Sequence, residues 1–436
     1  MLCSRFRPSL LRPASLRLVG TVASRRTDVE KQPELLSASL AFEDPRAFRV
    51  KSFWELLRAL GVFRLCSFPV LVNNCGKLMS IARTLLGRRG FSLVLRPTVY
   101  AQFVAGENES EICRSMEKMS SLGMRPMLAV PIEEDLGQSA GEKRYDDNME
   151  AMLECVRMSH SNAWSKDPMM QLKITALISP ELCVRLHRSN CLNNYWEIYS
   201  SSLPFNAMIF FFFLSQASVN KVRVLGDAEY TYMNPALSLV TMAMMKKFNQ
   251  ESAWIWNTYQ CYLKALRLSR TEPFCLGVKL VRGAYMDKER KLAQQEGRAD
   301  PVHQSWEDTN DSYNGSLNLM LEAIAEKPEK YRIIIATHNE ESVRRATKRS
   351  GHLGMDKDGG SVCFGQLLGM CDHVSLTLAQ EGYAVYKSVP YGSVDDTLPY
   401  LVRRAQENRT VLQGIRKERD LLRREFKRRL GLSGRS

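Results

Sequence analysis

GVKLVRGAY at 277–285 and RIIIATHN at 332–339 share one figure: a mostly apolar, β-prone run whose last residues turn polar. The figure recurs in RPMLAV (125–130), LKITAL (172–177), VRVLGDAE (222–229), WIWNTYQ (254–260), VCFGQLLG (362–369) and YAVYKSVPYG (383–392), making eight runs. Strands apolar on both faces belong in a parallel sheet covered by helices, and most of the intervals have the length of a helix. Eight such units predict an α/β fold, a (βα)8 TIM barrel. In such barrels the C-terminal strand ends and the loops after them form the active site. The polar residues there are Lys173, Asp227, Glu229, Gln260, Arg282, Tyr285, His338, Asn339, Gln366 and Ser388. One alone would be expected to cap a helix or satisfy loop backbone; their recurrence around one rim points to a site.

Outward from the barrel (121–410), residues 28–120 are predicted as a helical lead-in, because apolar residues recur three and four apart over 48–88 and after Gln102. Residues 1–27 hold six arginines and no acid, mixed with serine and leucine, the composition of a mitochondrial transit peptide or else of a basic tail. Residues 409–436 hold ten basic and three acidic residues, so the formal charge of +14 leaves only about +1 between the two ends. A nucleic-acid-binding body is therefore not expected. The segment 411–436 is predicted as a basic helix with Leu421, Leu422, Phe426 and Leu430 partly on one side. It either closes the barrel or touches anionic lipid at a membrane surface.

The eleven cysteines are scattered, with no CxxC pair and no Cys/His cluster at zinc spacing, so no disulfide scaffold and no metal is expected. The longest apolar run, FNAMIFFFFLSQ (205–216), is short of the roughly 20 residues that span a bilayer. The 178–222 interval, with Trp196, Tyr199 and Phe210 to Phe213, does not read as an amphipathic helix. A buried helix, an aberrant exon or a translated intron would each give such a stretch, and it puts barrel closure after the second strand in question.

After the eighth strand, SVDDTLPYLVRRAQEN opens as a helix N-terminus does, with a serine and two aspartates. On this helix Arg403 and Arg404 are adjacent, and Arg403 and Glu407 stand four apart on one face. A surface ion pair would explain that spacing, but the helix starts at the predicted catalytic rim, where guanidinium forks suit a carboxylate or phosphate. Lys173 and Asp227, at neighbouring strand ends, would make either a pair that orients the substrate amine or its surroundings, or a structural salt bridge at the mouth of the barrel. The chain has no HExxH, Walker A or GxGxxG signature, so a nucleotide cofactor would have to lie on the barrel itself.

KLVRGAYMDKE (279–289), ATHNEESV (336–343), FGQLLGM (364–370) and YLVRRAQEN (400–408) together resemble the proline dehydrogenase family, from about Lys173 to Gly414. The likeness is greatest to the hydroxyproline-oxidising members of its animal mitochondrial branch. The resemblance implies a distorted (βα)8 TIM barrel that binds FAD and oxidises an imino acid at the ring carbon next to nitrogen, by hydride transfer to flavin N5. Electrons would pass to ubiquinone at the matrix side of the mitochondrial inner membrane. It further implies that Arg403, Arg404 and Glu407 grip the substrate, that Lys173 and Asp227 form an ion pair beside it, and that Tyr285 and Leu367 pack its ring. Gln260, Val281, Arg282, Ala284, Thr337, His338 and Asn339 match flavin-contacting positions, and Lys279 would direct its charge to the N1/N5 side.

Proline-preferring members carry tyrosine where Ser388 stands. A serine leaves room and a hydrogen bond, so trans-4-hydroxy-L-proline is expected over L-proline, giving 1-pyrroline-3-hydroxy-5-carboxylate. Three other readings of the same residues are L-proline oxidation to 1-pyrroline-5-carboxylate, an inactive barrel scaffold, and a flavin-free aldolase or isomerase using the arginines for a sugar phosphate.

Overall fold

The computed structural model closes the eight runs into one ring: β1 (Arg125–Ala129), β2 (Met169–Leu172), β3 (Arg223–Gly226), β4 (Ile255–Gln260), β5 (Leu276–Val281), β6 (Tyr331–Ala336), β7 (Val362–Leu367) and β8 (Val385–Pro390) pair in parallel, and β8 returns to β1. The structure describes residues 40–132, 142–160, 164, 166–188, 204–264, 273–407 and 412–432. The candidate transit segment 1–27 lies outside them. Seven of the predicted strands fall in place. The second is corrected: Met169–Leu172 forms β2, and the segment expected to be strand turns into a 3-10 helix at Ile174–Ala176.

The lead-in is helical, as its periodicity predicts, with α1 (Phe53–Cys66), α2 (Pro69–Asn73), α3 (Cys75–Leu95) and α4 (Glu109–Ser121). Ser52 starts α1 with a capping box, accepting from the Glu55 amide at 3.2 Å while its own amide donates to the Glu55 carboxylate at 2.8 Å. Around the barrel follow α5 (Glu142–His160), α6 (Pro180–Arg188), α7 (Pro204–Val219), α8 (Asn234–Phe248), α9 (Met286–Gln295), α10 (Trp306–Glu326), α11 (Glu340–His352), α12 (Asp372–Gln380), α13 (Val394–Glu407) and α14 (Leu412–Arg429). Among the described residues no helix joins β4 to β5, which is where the alternation is broken.

The Phe-rich run is α7, and the barrel closes through it. Phe210, Phe213, Leu214 and Ala217 are buried while Phe212 is half-exposed, because α7 packs on α5, α8 and β3 at once. At the other end, Leu421 and Leu422 of α14 are buried and Phe426 stacks on Phe53 of α1 at 5.2 Å. Glu418 of α14 accepts the Cys371 and Asp372 amides, each at 2.8 Å. Three of the four apolar residues expected on one side of the C-terminal helix are thus packed against the chain itself, while Leu430 is exposed.

Inside the ring, Met127, Met169, Leu225, Trp256, Ile334, Cys363 and Tyr386 belong to a buried apolar layer separate from the outer core. A Cβ on Gly277 would lie 2.5 Å from the Trp256 ring, so glycine is what lets the indole fill the barrel. Side chains alternate along a strand, so the inward positions two residues further on, toward the C-terminal mouth, include Gln171, Asp227, Thr258, Lys279 and Ser388. That polar layer, set on an apolar one, is the floor of the site.

Candidate active site

The floor holds two polar pairs. Lys279 Nζ donates to Asp227 Oδ1 at 2.6 Å, and Ser388 Oγ donates to Gln171 Oε1 at 3.1 Å. The first corrects the expected Lys173–Asp227 pair. Strand register places Gly226 against Asn257 and Thr258 against Lys279, so Asp227 and Lys279 lie level, with Thr258 between them. Lys173 stands one step higher, and its ammonium acts on Glu229 instead. Burial pushes the Glu229 carboxyl above its ordinary range, with Lys173 and hydrogen bonds from the Thr175 hydroxyl at 2.9 and 3.1 Å opposing the shift.

Above the floor, Arg403 of α13 donates from Nη1 to the Tyr285 hydroxyl at 3.3 Å. Burial holds the Tyr285 phenol well above its ordinary value, against the neighbouring Arg403 charge, so it stays protonated and keeps its hydrogen to donate. Arg404 and Glu407 lie on α13 with Arg403, but their side chains are outside the described residues. Tyr230 packs against Tyr285 at 4.5 Å and stacks on Tyr232 at 5.4 Å, with Lys288 Nζ 4.0 Å above the Tyr230 ring. This aromatic wall was not anticipated: Tyr230 and Tyr232 lie in the loop just past the polar end of VRVLGDAE.

The β5–β6 side of the rim is organised around Arg282. Its guanidinium donates to Thr337 Oγ1 at 2.8 Å, to Asn310 Oδ1 at 2.7 and 2.9 Å and to Ser342 Oγ at 2.9 Å, and lies 4.3 Å over the Tyr313 ring. None of these contacts is a carboxylate. Burial lowers its pKa, yet arginine keeps its proton, so the rim carries a fixed positive charge with no carboxylate bonded to it among the described residues, which suits an anionic group. Asn310, Tyr313 and Ser342 are the residues sequence reasoning missed here, since they sit on α10 and α11 rather than at strand ends.

The other candidate cofactor residues divide. Val281 ends β5 and Ala284 is exposed in the loop behind it. Gln260 is buried and donates to the Glu229 carbonyl at 2.9 Å. Asn339 caps α11 by accepting from the Ser342 amide at 3.0 Å. Both amide side chains are therefore engaged within the chain. His338 Nε2 accepts the Leu367 amide at 3.1 Å, which assigns its ring hydrogen to Nδ1 and ties β6 to the β7 end. Leu367 in turn gives its carbonyl to buried Lys387 at 3.1 Å.

Fold and site together describe a (βα)8 barrel whose rim gathers cations over a small polar floor. The proline dehydrogenase pattern matches residues 104–417. Hydroxyproline dehydrogenase of Xenopus laevis is 52% identical over 461 residues, covering 98% of this chain and 96% of that protein. Proline dehydrogenase 1, mitochondrial, of Drosophila melanogaster is 30% identical, covering 91% and 82%. Among solved structures, proline utilization A from Bdellovibrio bacteriovorus superposes with a TM-score of 0.61 over 81% of this chain, at 20% identity. At that identity the likeness speaks for the fold alone, and this chain spans 36% of that one. The chain belongs to the proline dehydrogenase family and is an oxidoreductase.

Proposed function

We propose that the chain is an FAD-dependent, mitochondrial dehydrogenase of trans-4-hydroxy-L-proline that passes electrons to ubiquinone at the matrix face of the inner membrane. The observation that carries the substrate is the Ser388–Gln171 pair in the floor, at 3.1 Å and largely buried. A ring hydroxyl lowered into this site meets a hydroxyl and an amide, where the tyrosine of proline-preferring members would fill the same space. The Xenopus relative named for that substrate, identical at 52% of positions, supports the reading.

Arg403, Arg404 and Glu407 hold the carboxylate and amine, while Tyr285 and Leu367 pack the ring. Because proline has the same carboxylate and amine, these residues bind both substrates and leave the choice to Ser388. The Lys279–Asp227 pair fixes one positive charge beside the reacting carbon, with Lys173 held back by Glu229. Arg282, lacking a carboxylate partner among its contacts, suits the pyrophosphate of FAD, with Gln260, Val281, Ala284, Thr337, His338 and Asn339 around it. FAD, when bound, supplies the two-electron acceptor for the hydride. Residues 1–27 serve as the transit peptide, 28–120 as the helical region, 121–410 as the flavin barrel and 411–436 as the C-terminal helix.

The test is kcat/KM for trans-4-hydroxy-L-proline and for L-proline, in this chain and in Ser388→Tyr. The parent is expected to favour hydroxyproline, and the variant to lose that preference by roughly tenfold or more, the scale of one misplaced hydroxyl contact. An unchanged ratio would remove the substrate assignment while leaving the family intact.

A further inference from the structure

The lead-in helices present a surface that the active site does not use. Between Leu56 and Gly106 the chain carries seven basic residues and no acid. In the same stretch large apolar side chains face outward, with Val70 73% exposed, Leu85 79% and Leu93 77%. Phe68, Leu78 and Ile81 are also exposed. On α3, Leu78, Ile81 and Leu85 recur at three and four residues, so they form one stripe along the helix. Surface leucines scattered singly are ordinary, but a series of them on consecutive helices marks a surface that something covers.

The other side of the α2–α3 pair is already occupied. Both helices pack against α13. A Cβ on Gly76 would meet Val402, Cys75 Sγ lies 3.8 Å from the Val402 carbonyl, and Arg83 and Arg88 share Asp395 at 3.0 and 2.8 Å. The apolar stripe is what remains outside.

Charge decides what covers it. Arg96 is held by Glu107 and Glu111, and Asp395 offsets one of the two arginines it binds. Lys77 stays exposed beside the stripe, and Arg89 stays exposed just past the kink that Gly87 puts in α3, so the surface is apolar and net positive. Two copies of such a face would repel each other, whereas anionic lipid attracts the cations and accepts the leucines. No helix among the described residues is long and apolar enough to cross a membrane, so the contact lies in the interface plane. We propose that the outer faces of α2 and α3 dock on an anionic bilayer, with α13 and its Arg403 held directly behind the docked layer. This deepens the membrane contact proposed above, and assigns it to the lead-in helices rather than to the basic C-terminal helix.

The test is flotation of the full chain with phosphatidylcholine vesicles, with and without cardiolipin, which needs neither flavin nor substrate. The parent is expected to float with the cardiolipin vesicles, less so at high salt. In Ile81→Glu/Leu85→Glu the bound fraction is expected to fall about tenfold or more, with an unchanged thermal transition and unchanged turnover on a water-soluble dye acceptor. Leu93→Glu alone, an independent exposed site, is expected to act in the same direction should the double variant fold poorly. Undiminished flotation of both variants would assign lipid binding to the basic ends of the chain and overturn the proposal. So would a parent that floats with neither vesicle, or variants that lose only self-association in sedimentation velocity.

Discussion

Ser388 takes its meaning from Gln171, which sequence inspection passed over. The run LKITAL suggests a strand from 172, whereas the strand is Met169–Leu172, so Gln171 lies just before the run. Its Oε1 accepts from Ser388, and its Nε2 lies 3.9 Å from Met127 Sδ. Gln171→Leu leaves the serine hydroxyl without this partner, a loss of about 1–3 kcal/mol for a buried polar group. The ratio of kcat/KM for hydroxyproline over proline should fall roughly tenfold, and an unaltered ratio would show that Gln171 only fills space. A second residue-scale constraint is Gly283, in the VRGAY loop that carries Arg282. Its φ of 116° is outside the range of ordinary side chains, and a Cβ there would stand 1.8 Å from the Tyr262 ring. Gly283→Ala must move either the buried tyrosine or the arginine, at a cost of about 1–3 kcal/mol. Flavin absorbance per mole of purified protein should drop before kcat per bound flavin does. Normal flavin content with an unshifted melting temperature would contradict this account.

At the scale of elements, seven strands were legible because a parallel barrel strand is buried on both faces and writes that burial as a continuous apolar run. α7 was legible only as one of several alternatives, a buried helix, because three elements surround it and no single polar face survives in its sequence. The Lys279–Asp227 pair was hidden for a different reason: strand ends are visible in sequence, whereas the level at which two non-adjacent strands meet is set by register. Register likewise leaves no trace of the joint between α11, α12 and α14. There the Glu340 carboxylate accepts from His373 Nε2 at 2.9 Å and from Lys417 Nζ at 2.5 Å. Burial opposes its ionisation, but those hydrogen bonds and charges prevail and hold its pKa at about 2, below its ordinary 4.5. A carboxyl depressed in the folded state adds stability above the unfolded pKa and loses it as pH falls through the folded one. Glu340→Gln should therefore cost on the order of 2–3 kcal/mol at neutral pH, and the gap to the parent should close to under about 1 kcal/mol near pH 2. Urea unfolding of both proteins across that range checks the sign; a gap that widens with acid would refute it.

Over the whole molecule, the two ends of the described chain meet on one side of the barrel, and that meeting joins the lead-in to the catalytic rim. α14 lies across α1, with Leu421 and Leu422 at no more than 1% exposure. Its Glu418 caps the start of α12, whose Asp372 receives Lys51 from the lead-in and Lys387 from β8, each at 2.7 Å. Lys387 is itself fully enclosed and gives its remaining hydrogen bonds to the Leu367 and Met370 carbonyls at 3.1 and 2.7 Å. The residue next to it is Ser388, so the position of the specificity-determining strand depends on a chain of contacts that begins in α14. Leu421→Ala should cost about 2–5 kcal/mol, since it removes a fully enclosed side chain with little freedom for its surroundings to collapse. Because no part of Leu421 reaches the site, kcat/KM at a temperature where the variant is folded should stay near the parent value, and vesicle flotation should not change. A loss of flotation with stability intact would mean that the C-terminal helix, and not the α2–α3 face, meets the membrane.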